Sequence, residues 1–485
     1  MNYRLLIIMT TLLFFITSCS RNPVTGKREL NFISKKQELA MGAEYDPQII
    51  AQFGSYEDKN LQNLINRVGL SMAKNSHRPD LDYQFRILDS PVVNAFAVPG
   101  GYIYFTRGIL AHFNNEAELA GVMGHEIGHI TAKHSVKQLT NQTILQTLFV
   151  AGIIFSPEFA QLADLANQGI GLLFLRFSRA NERESDKLGV QYSTEQGYNA
   201  HEMAEFFKTL ERMGGEAGSL PQFLSTHPDP GQRYISVNNY TDTLQSRMNI
   251  SSSQLKVNRN SYLDLIDGII VGEDPKLGYV ENDRFYHPEL RLVFDIPQQW
   301  QTNNTPSQVQ LIPESGKAVI LFELEAGNDL NGAANIVIER NKINVIERNN
   351  TTVNGNQALA ILGEFTQNSG NSQTTKLRIL TYLIKYNNQI YKFIGLSADS
   401  DFNGYFGNFQ NTMTSFKKLT DSSKINKLPT RLKIVSVKQT GSLKSVLDSY
   451  NTDQVDYEKL SLLNGMDLNE TIKSGSKIKI LEKKK

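Results

Sequence analysis

Two histidines one helical turn apart, with a glutamate beside the first, are the side chains in this sequence best placed to do chemistry. His125, Glu126 and His129 sit in a proline-free stretch, Asn115 to Leu139, where Leu119, Val122, Met123, Ile127 and Ile130 recur at mostly helical spacing. Positions i and i+4 share one helix face. Both imidazoles can therefore reach one zinc ion, while Glu126 projects toward the metal-bound water as general base. Gly121, Gly124 and Gly128 keep that helix slim where a metal and its neighbours crowd in. A zinc that activates water keeps three protein ligands and an open position. A third ligand must come from elsewhere, and the run Ser178 to Asp186 offers Glu182, Glu184 and Asp186. Glu182 and Asp186 share a helix face and Glu184 points away from it. A geometry that fits has Glu182 on the metal and Asp186 behind it, accepting the outer N–H of a ligand histidine and fixing its orientation. Taken alone, an acidic-basic run of this kind is an ordinary solvated helix face.

The remaining histidines read as structural. His134 lies five residues past His129 and is expected to face away from the metal, near a helix end where a cation is favoured. His77, His112, His201 and His287 show no ligand spacing.

Taken together, Gly124-His125-Glu126-Ile127-Gly128-His129, Phe177-Ser178-Arg179 and Glu182 with Asp186 resemble the zinc metallopeptidases related to HtpX and the CAAX prenyl endoprotease. Asn22-Pro23-Val24-Thr25-Gly26 and Val93 to Gly101 are similar to the BepA-like periplasmic lipoprotein subgroup of that family, and the likeness covers about residues 20 to 270. The resemblance implies that Glu182 is the third ligand to one Zn2+ per chain. It also implies a role for Thr226 to Arg233, a His-Pro loop that lies over the zinc in such enzymes. His227 is expected to take the fourth coordination position or to move aside and bind substrate, and Arg233 to stabilise the oxyanion. Ser185 departs from the family's usual alanine and is small enough to matter little. The strand around Asn94 to Val98 is a candidate edge for an extended substrate peptide.

Other elements must carry this site. Leu39, Ala43 and then Leu61, Leu64, Ile65, Val68 and Leu70 fall near helical spacing, and Tyr83, Phe85 and Ile87 alternate as a strand does. A second strand pattern, Phe96 to Phe105, is broken by Pro99, Gly100 and Gly101. The apolar run Thr147 to Phe155 stops at Pro157, too short to span a bilayer, so Gln142 to Leu175 reads as a capping segment near the site. From about Asp274 short β-rich runs appear: Leu290 to Ile296, Ala318 to Leu324, Ala334 to Glu339, Leu377 to Tyr386 and Gln389 to Leu396. Phe402 to Phe416 has the spacing of a closing helix, and Trp300, the single tryptophan, reads as core. Leu432 to Leu481 forms a β-helix-helix-β pattern that weakly resembles a LysM-like unit, a class that binds peptidoglycan glycans.

The N-terminus carries an address. Arg4 precedes an apolar run from Leu5 to Ile16, and Thr17, Ser18 and Cys19 follow. This has the parts of a secretory signal, and Cys19, the chain's one cysteine, resembles a bacterial lipobox. Residues 20 to 34 then read as a tether. With one cysteine no intramolecular disulfide is possible. A length of 485 residues implies several domains, and a net charge of +1 gives no reason to expect nucleic acid.

The expected organisation is multidomain. Residues 1–19 are a signal peptide with a lipobox cysteine. Residues 20–270 form a mainly α-helical, zincin-type (gluzincin) peptidase domain with a small β-sheet. Residues 275–420 form an α/β or α+β domain, and 429–482 a small LysM-like βααβ unit. The expected function is a zinc-dependent endopeptidase of the cell envelope acting on misfolded or stalled envelope proteins. It would be lipid-anchored at the periplasmic face of the outer membrane. Its expected partners are polypeptide substrates, the membrane, and peptidoglycan or the outer-membrane assembly machinery. The alternative is a chaperone-like assembly factor with latent peptidase activity.

Overall fold

A computed structural model describes residues 19–140, 176–215, 221–327, 329–369 and 373–482. The chain folds into two compact units. One gathers the chain up to Gly272 together with the stretch from Thr430, and the other runs from Glu273 to Pro429.

The first unit opens with strands β1 (Cys19–Arg21) and β2 (Arg28–Leu30), which pair antiparallel. The sequence reading made this stretch a tether, but it is folded. Asn22 closes the turn, its Oδ1 accepting from the backbone N–H of Val24 at 2.9 Å and of Thr25 at 3.1 Å. Helix α1 (Lys35–Phe53) follows, started by a capping box between Ser34 and Gln37. Helix α2 (Lys59–Lys74), capped by Asp58, buries Leu61, Leu64, Ile65, Val68 and Met72 along one face.

Strands β3 (Gln84–Leu88), β4 (Ala95–Val98) and β5 (Tyr102–Thr106) form a sheet in the order β3-β5-β4. β4 and β5 are antiparallel, joined through Gly100 and Gly101 at φ 93° and 102°, a region that favours glycine. β3 runs parallel to β5. β4 is thus an edge strand of this sheet among the described residues.

Helices α3 (Arg107–His112) and α4 (Glu116–Thr131) come next, and every residue of α4 is buried. After the undescribed residues 141–175 the chain resumes with α5 (Arg179–Glu195), α6 (His201–Gly215), α7 (Gln222–Thr226), α8 (Pro230–Met248) and α9 (Arg259–Ile266). The apolar run Thr147 to Phe155 and its expected capping role lie outside the described residues, as do Met1 to Ser18.

The second unit is α+β. Strands β6 (Tyr279–Glu281), β7 (Arg284–His287) and β8 (Leu292–Asp295) belong to a four-stranded sheet. Seven further strands, β9 (Trp300–Asn304), β10 (Gln308–Pro313), β11 (Ala318–Glu325), β12 (Asn344–Val353), β13 (Asn356–Ser369), β14 (Gln373–Tyr386) and β15 (Gln389–Ala398), form one antiparallel sheet in the order β12-β13-β14-β15-β11-β10-β9. One expectation fails here. Ala334 to Glu339 reads as a strand but lies in helix α10 (Leu330–Asn341). Asp329 caps that helix, and Ala333, Ala334 and Val337 point inward at helical spacing against Ile361, Ile379 and Leu383. Helix α11 (Phe402–Ser415) covers the other core, where Phe409 and Tyr405 meet Trp300 edge-on.

From Thr430 the chain returns to the first unit with β16 (Arg431–Ser436), helices α12 (Leu443–Ser449) and α13 (Tyr457–Asn464), and β17 (Lys477–Glu482), which pairs antiparallel with β16. This stretch does not stand apart as the sequence reading had it. Leu432, Leu443, Leu447, Leu460, Leu463 and Ile478 join one hydrophobic core with Phe113, Phe206 and Tyr262. The binding polar contact is Lys479, fully buried, whose Nζ donates to the carbonyls of Ala111 (2.9 Å), Phe113 (2.7 Å) and Leu463 (2.7 Å). Those carbonyls end helices α3 and α13, which have no further partner along their own axes.

Candidate metal centre

Helix α4 begins at Asn115, whose side chain accepts from the Glu118 N–H. Helix α5 begins at Ser178, which accepts from the Asn181 N–H. The two helices approach to backbone contact. A Cβ on Gly124 would stand 3.0 Å from the Gly189 carbonyl oxygen, and one on Gly189 would stand 3.0 Å from the His125 nitrogen. Only glycine on both sides permits that approach. It carries the acidic face of α5 onto the histidine face of α4.

The result is a buried cluster. One ligand-type atom from each of His125, His129, Glu182 and His227 lies within 4.8 Å of the others. His125 Nε2 and His129 Nε2 are 3.0 Å apart. Glu182 reaches to 3.7 Å from His125 Nε2 and 3.5 Å from His129 Nε2. His227, at the C-terminal end of α7, brings Nδ1 to 3.0 Å from Glu182 and 3.4 Å from His125 Nε2. Glu126 stands beside them, with Oε1 3.8 Å from His227 Nε2, buried and without a hydrogen-bond partner. An orphaned buried carboxylate oxygen is costly. Two or three imidazoles and a carboxylate converging in this way suit a divalent cation such as zinc.

The shell behind the cluster is charged. Asp186 Oδ1 lies 2.9 Å from His125 Nδ1. Arg233 donates to Asp186 from Nε at 2.9 Å and from Nη2 at 2.7 Å, and its Nη1 lies 3.1 Å from Glu182. Its guanidinium rests 4.0 Å over the Phe207 ring. Burial pushes the Asp186 carboxyl up, but Arg233 and His125 outweigh it and hold the pKa at about 2. Glu182 follows the same pattern, with burial overcome by His227 and Arg233 and the pKa lowered. His227 is the mirror image: burial disfavours its charge, yet Glu182 draws it upward. Burial raises the Glu126 carboxyl and, with His125 beside it, depresses His129. The centre thus pairs a carboxyl inclined to hold a proton with two carboxylates kept ionised.

Each residue that sequence reasoning placed at the site is found here, but two neighbours were misread. His134 does not point away. Helix α4 ends at Thr131, and Lys133 turns the chain at φ 58°. That turn swings His134 back until its Nδ1 lies 3.1 Å from His129 Nδ1. Glu184 faces His134, Oε2 to Nε2 at 3.2 Å, and Ser185 Oγ lies 3.2 Å from His134 Nδ1. Ser185 is therefore a polar contact and not merely a small filler. Helical extrapolation past His129 missed this because the helix stops two residues later. Gly189 was missed as well; a glycine three residues after Asp186 was its only signal. Arg233, expected at the oxyanion, gives Nε and Nη2 to Asp186, while its Nη1, 3.1 Å from Glu182, is buried without a hydrogen-bond partner. A cleft of about 330 Å3, lined by Glu182, Arg233, Asp229 and Arg183 among others, opens beside the cluster.

Comparison with known proteins bears on this site. The family model described as "Peptidase family M48" matches residues 59–241. The beta-barrel assembly-enhancing protease of Yersinia pestis is 29% identical over 233 residues, which are 45% of this chain and 47% of that protein. The mitochondrial metalloendopeptidase OMA1 of Arabidopsis thaliana is 31% identical over 207 residues, 41% of this chain and 40% of that one. The beta-barrel assembly-enhancing protease of Escherichia coli K12 is 26% identical over 248 residues, 50% of this chain and 51% of that one. The chain spans about half the length of the curated relatives it matches. The matched stretch contains α4, α5 and the loop bearing His227, and M48 peptidases depend on a metal. Residues 59–241 accordingly resemble a peptidase domain of family M48.

Proposed function

We propose that this chain is a zinc-dependent endopeptidase in which His125, His129 and Glu182 hold one zinc per chain. The observation that carries the reading is the buried four-residue cluster with the partnerless Glu126 carboxylate beside it. Zinc held there would supply Lewis acidity, polarising the scissile carbonyl and making a water acidic near neutral pH. Glu126 takes the proton of the attacking water and delivers it to the leaving amine; its raised pKa suits a group that must hold the proton between those two steps. Asp186 fixes the tautomer and orientation of His125, and Arg233 keeps Asp186 and Glu182 ionised. β4 offers its free edge to an extended peptide by main-chain hydrogen bonds.

His227 makes a fourth ligand, and four protein ligands leave no open position. It acts as a gate that must withdraw with its loop for water and substrate to enter. The substrates are misfolded or stalled envelope proteins, and the chain is exported and anchored through Cys19 at the outer membrane. Two relatives are named beta-barrel assembly-enhancing protease, which supports that setting. The β-helix-helix-β stretch 429–482 serves as a docking face for the envelope, with a LysM-like fold.

The test compares peptides released in cells carrying the wild type with those from Glu126→Gln. The variant should keep its zinc and release none of the substrate fragments; equal fragment sets would remove the activity. A second reading, a chaperone-like factor with latent activity, draws on the same closed set of four ligands. His227→Ala decides between them, since the gate predicts faster cleavage of unstructured proteins with zinc retained.

A further inference from the structure

The hairpin β1–β2 carries a charge pattern that its fold does not explain. In register, Arg21 lies directly opposite Arg28. Like charges facing each other across an antiparallel pair are destabilising. Lys27 adjoins them in the turn, and Lys36 follows in the first turn of α1; all four are exposed. The nearby acids are already committed. Glu29 pairs with Lys137 at 3.1 Å, and Glu38 is buried against Arg78 at 2.7 Å. No ion pair engages Arg21, Lys27, Arg28 or Lys36 among the described residues. Beside these cations Phe32 is 40% exposed and Leu39 38%. Unpaired cations next to exposed apolar side chains are the composition of a surface that meets a bilayer.

The hairpin is also hydrogen-bonded to the end of the helix that bears His125 and His129. Asn22, 4% exposed, donates from Nδ2 to the Ala132 carbonyl at 3.2 Å, which caps the end of α4. Ala132 lies three residues beyond His129, about 4.5 Å along a helix axis. Whatever the hairpin lies against sits close to the centre.

We infer that the hairpin and the first turn of α1 form a docking surface for an anionic phospholipid bilayer, which holds the metal centre at the membrane surface. Arg21, Lys27, Arg28 and Lys36 meet lipid phosphates, relieving the Arg21–Arg28 repulsion, and Phe32 enters the headgroup boundary. The surface works whether or not Cys19 is acylated, and it does not depend on hydrolysis.

The test uses the full chain and its R21E/K27E/R28E/K36E variant, which share the same N-terminus, on phosphatidylcholine vesicles with and without phosphatidylglycerol. Wild type should partition more strongly as phosphatidylglycerol is added, and salt should reverse the gain. The variant should lose about 100-fold or more of that gain, since each surface cation is worth roughly fivefold. Hydrogen exchange on the unaltered chain gives an independent reading that needs no variant to fold. Phosphatidylglycerol vesicles should protect the backbone between Arg21 and Ile33. Unchanged exchange there, or a phosphatidylglycerol dependence that survives the charge reversal, overturns the proposal. So does protection by soluble polyphosphate with none by vesicles, which would assign the cations to a free phosphate polymer.

Discussion

Helix α4 is held by two buried polar clusters, one near each end, and they differ in what completes them. Near its start, Glu118 accepts from the Asn114 backbone N–H at 2.8 Å and from Asn115 Nδ2 at 3.1 Å. Lys479 lies next to this group with its donors spent on helix-end carbonyls. That cluster brings its own donor on the chain and is a closed structural knot. One turn and more further on, His125 and His129 face Glu182 and His227 with ligand-type atoms converging and Glu126 Oε1 unpartnered. Arg233 stands beside that second cluster, donating to Asp186, with its Nη1 unpartnered 3.1 Å from Glu182. Both clusters bury polar groups in one core. A satisfied one stabilises the fold, while one that converges on a point without satisfying itself is built to hold something else.

The contrast can be broken at either cluster. The largest effect is expected from Glu182→Ala. It removes a ligand, so bound zinc should fall from about one per chain to none and hydrolysis to background, with the melting transition still cooperative. Full zinc content by elemental analysis would shift the third ligand to Glu184 or another residue. Lys479→Met should do the reverse. It leaves three helix-end carbonyls buried without a donor, each worth about 1–3 kcal/mol, so a loss of about 3 kcal/mol or more is expected in denaturant unfolding. Activity per folded molecule should be unchanged; a variant as stable as wild type would mean that water replaces the ammonium.

Gly189→Ala tests how the two helices meet. A methyl 3.0 Å from the His125 nitrogen must push α5 away, at a cost of about 1–3 kcal/mol. Zinc should also leave faster to a chelator, and an unaltered off-rate would show that the centre tolerates the shift. The smallest effect concerns pH at the closed cluster. Burial lifts the Glu118 carboxyl to about 8, against 4.5 for a free glutamate, with the Asn114 N–H opposing. The folded state therefore holds the proton more tightly than the unfolded state. The stabilisation is full below about 4.5 and is lost as pH rises through about 8. Melting temperatures of wild type should fall relative to those of Glu118→Gln across that window, and parallel curves would mean that Glu118 is already ionised in the fold.

Much of the centre was legible in the chain because its chemistry is local. His125, Glu126 and His129 share one helix, and a turn of helix sets their spacing before any tertiary contact forms. Glu182 and Asp186 share another for the same reason, though only the likeness to known metallopeptidases singled out Glu182 from Glu184. The break between β4 and β5 was visible in Pro99, Gly100 and Gly101, and the structure makes it the turn of a hairpin.

What the sequence determined by itself is therefore whatever depends on neighbours along the chain: which residues can face one way from a helix, where a strand breaks, how few cysteines there are. Only the tertiary structure decided the rest. It brought His134 behind His129, because the helix ends at Thr131 and the chain reverses at Lys133. It turned Ala334 to Glu339 into helix, because a capping aspartate and the sheet face beneath outweigh β propensity. It set Arg233 against Asp186 and drew residues 430–482 into the core around α3. For Arg233 and for residues 430–482 the deciding partner lies far away in sequence, and local periodicity carries no information about which distant surface will cover a given face.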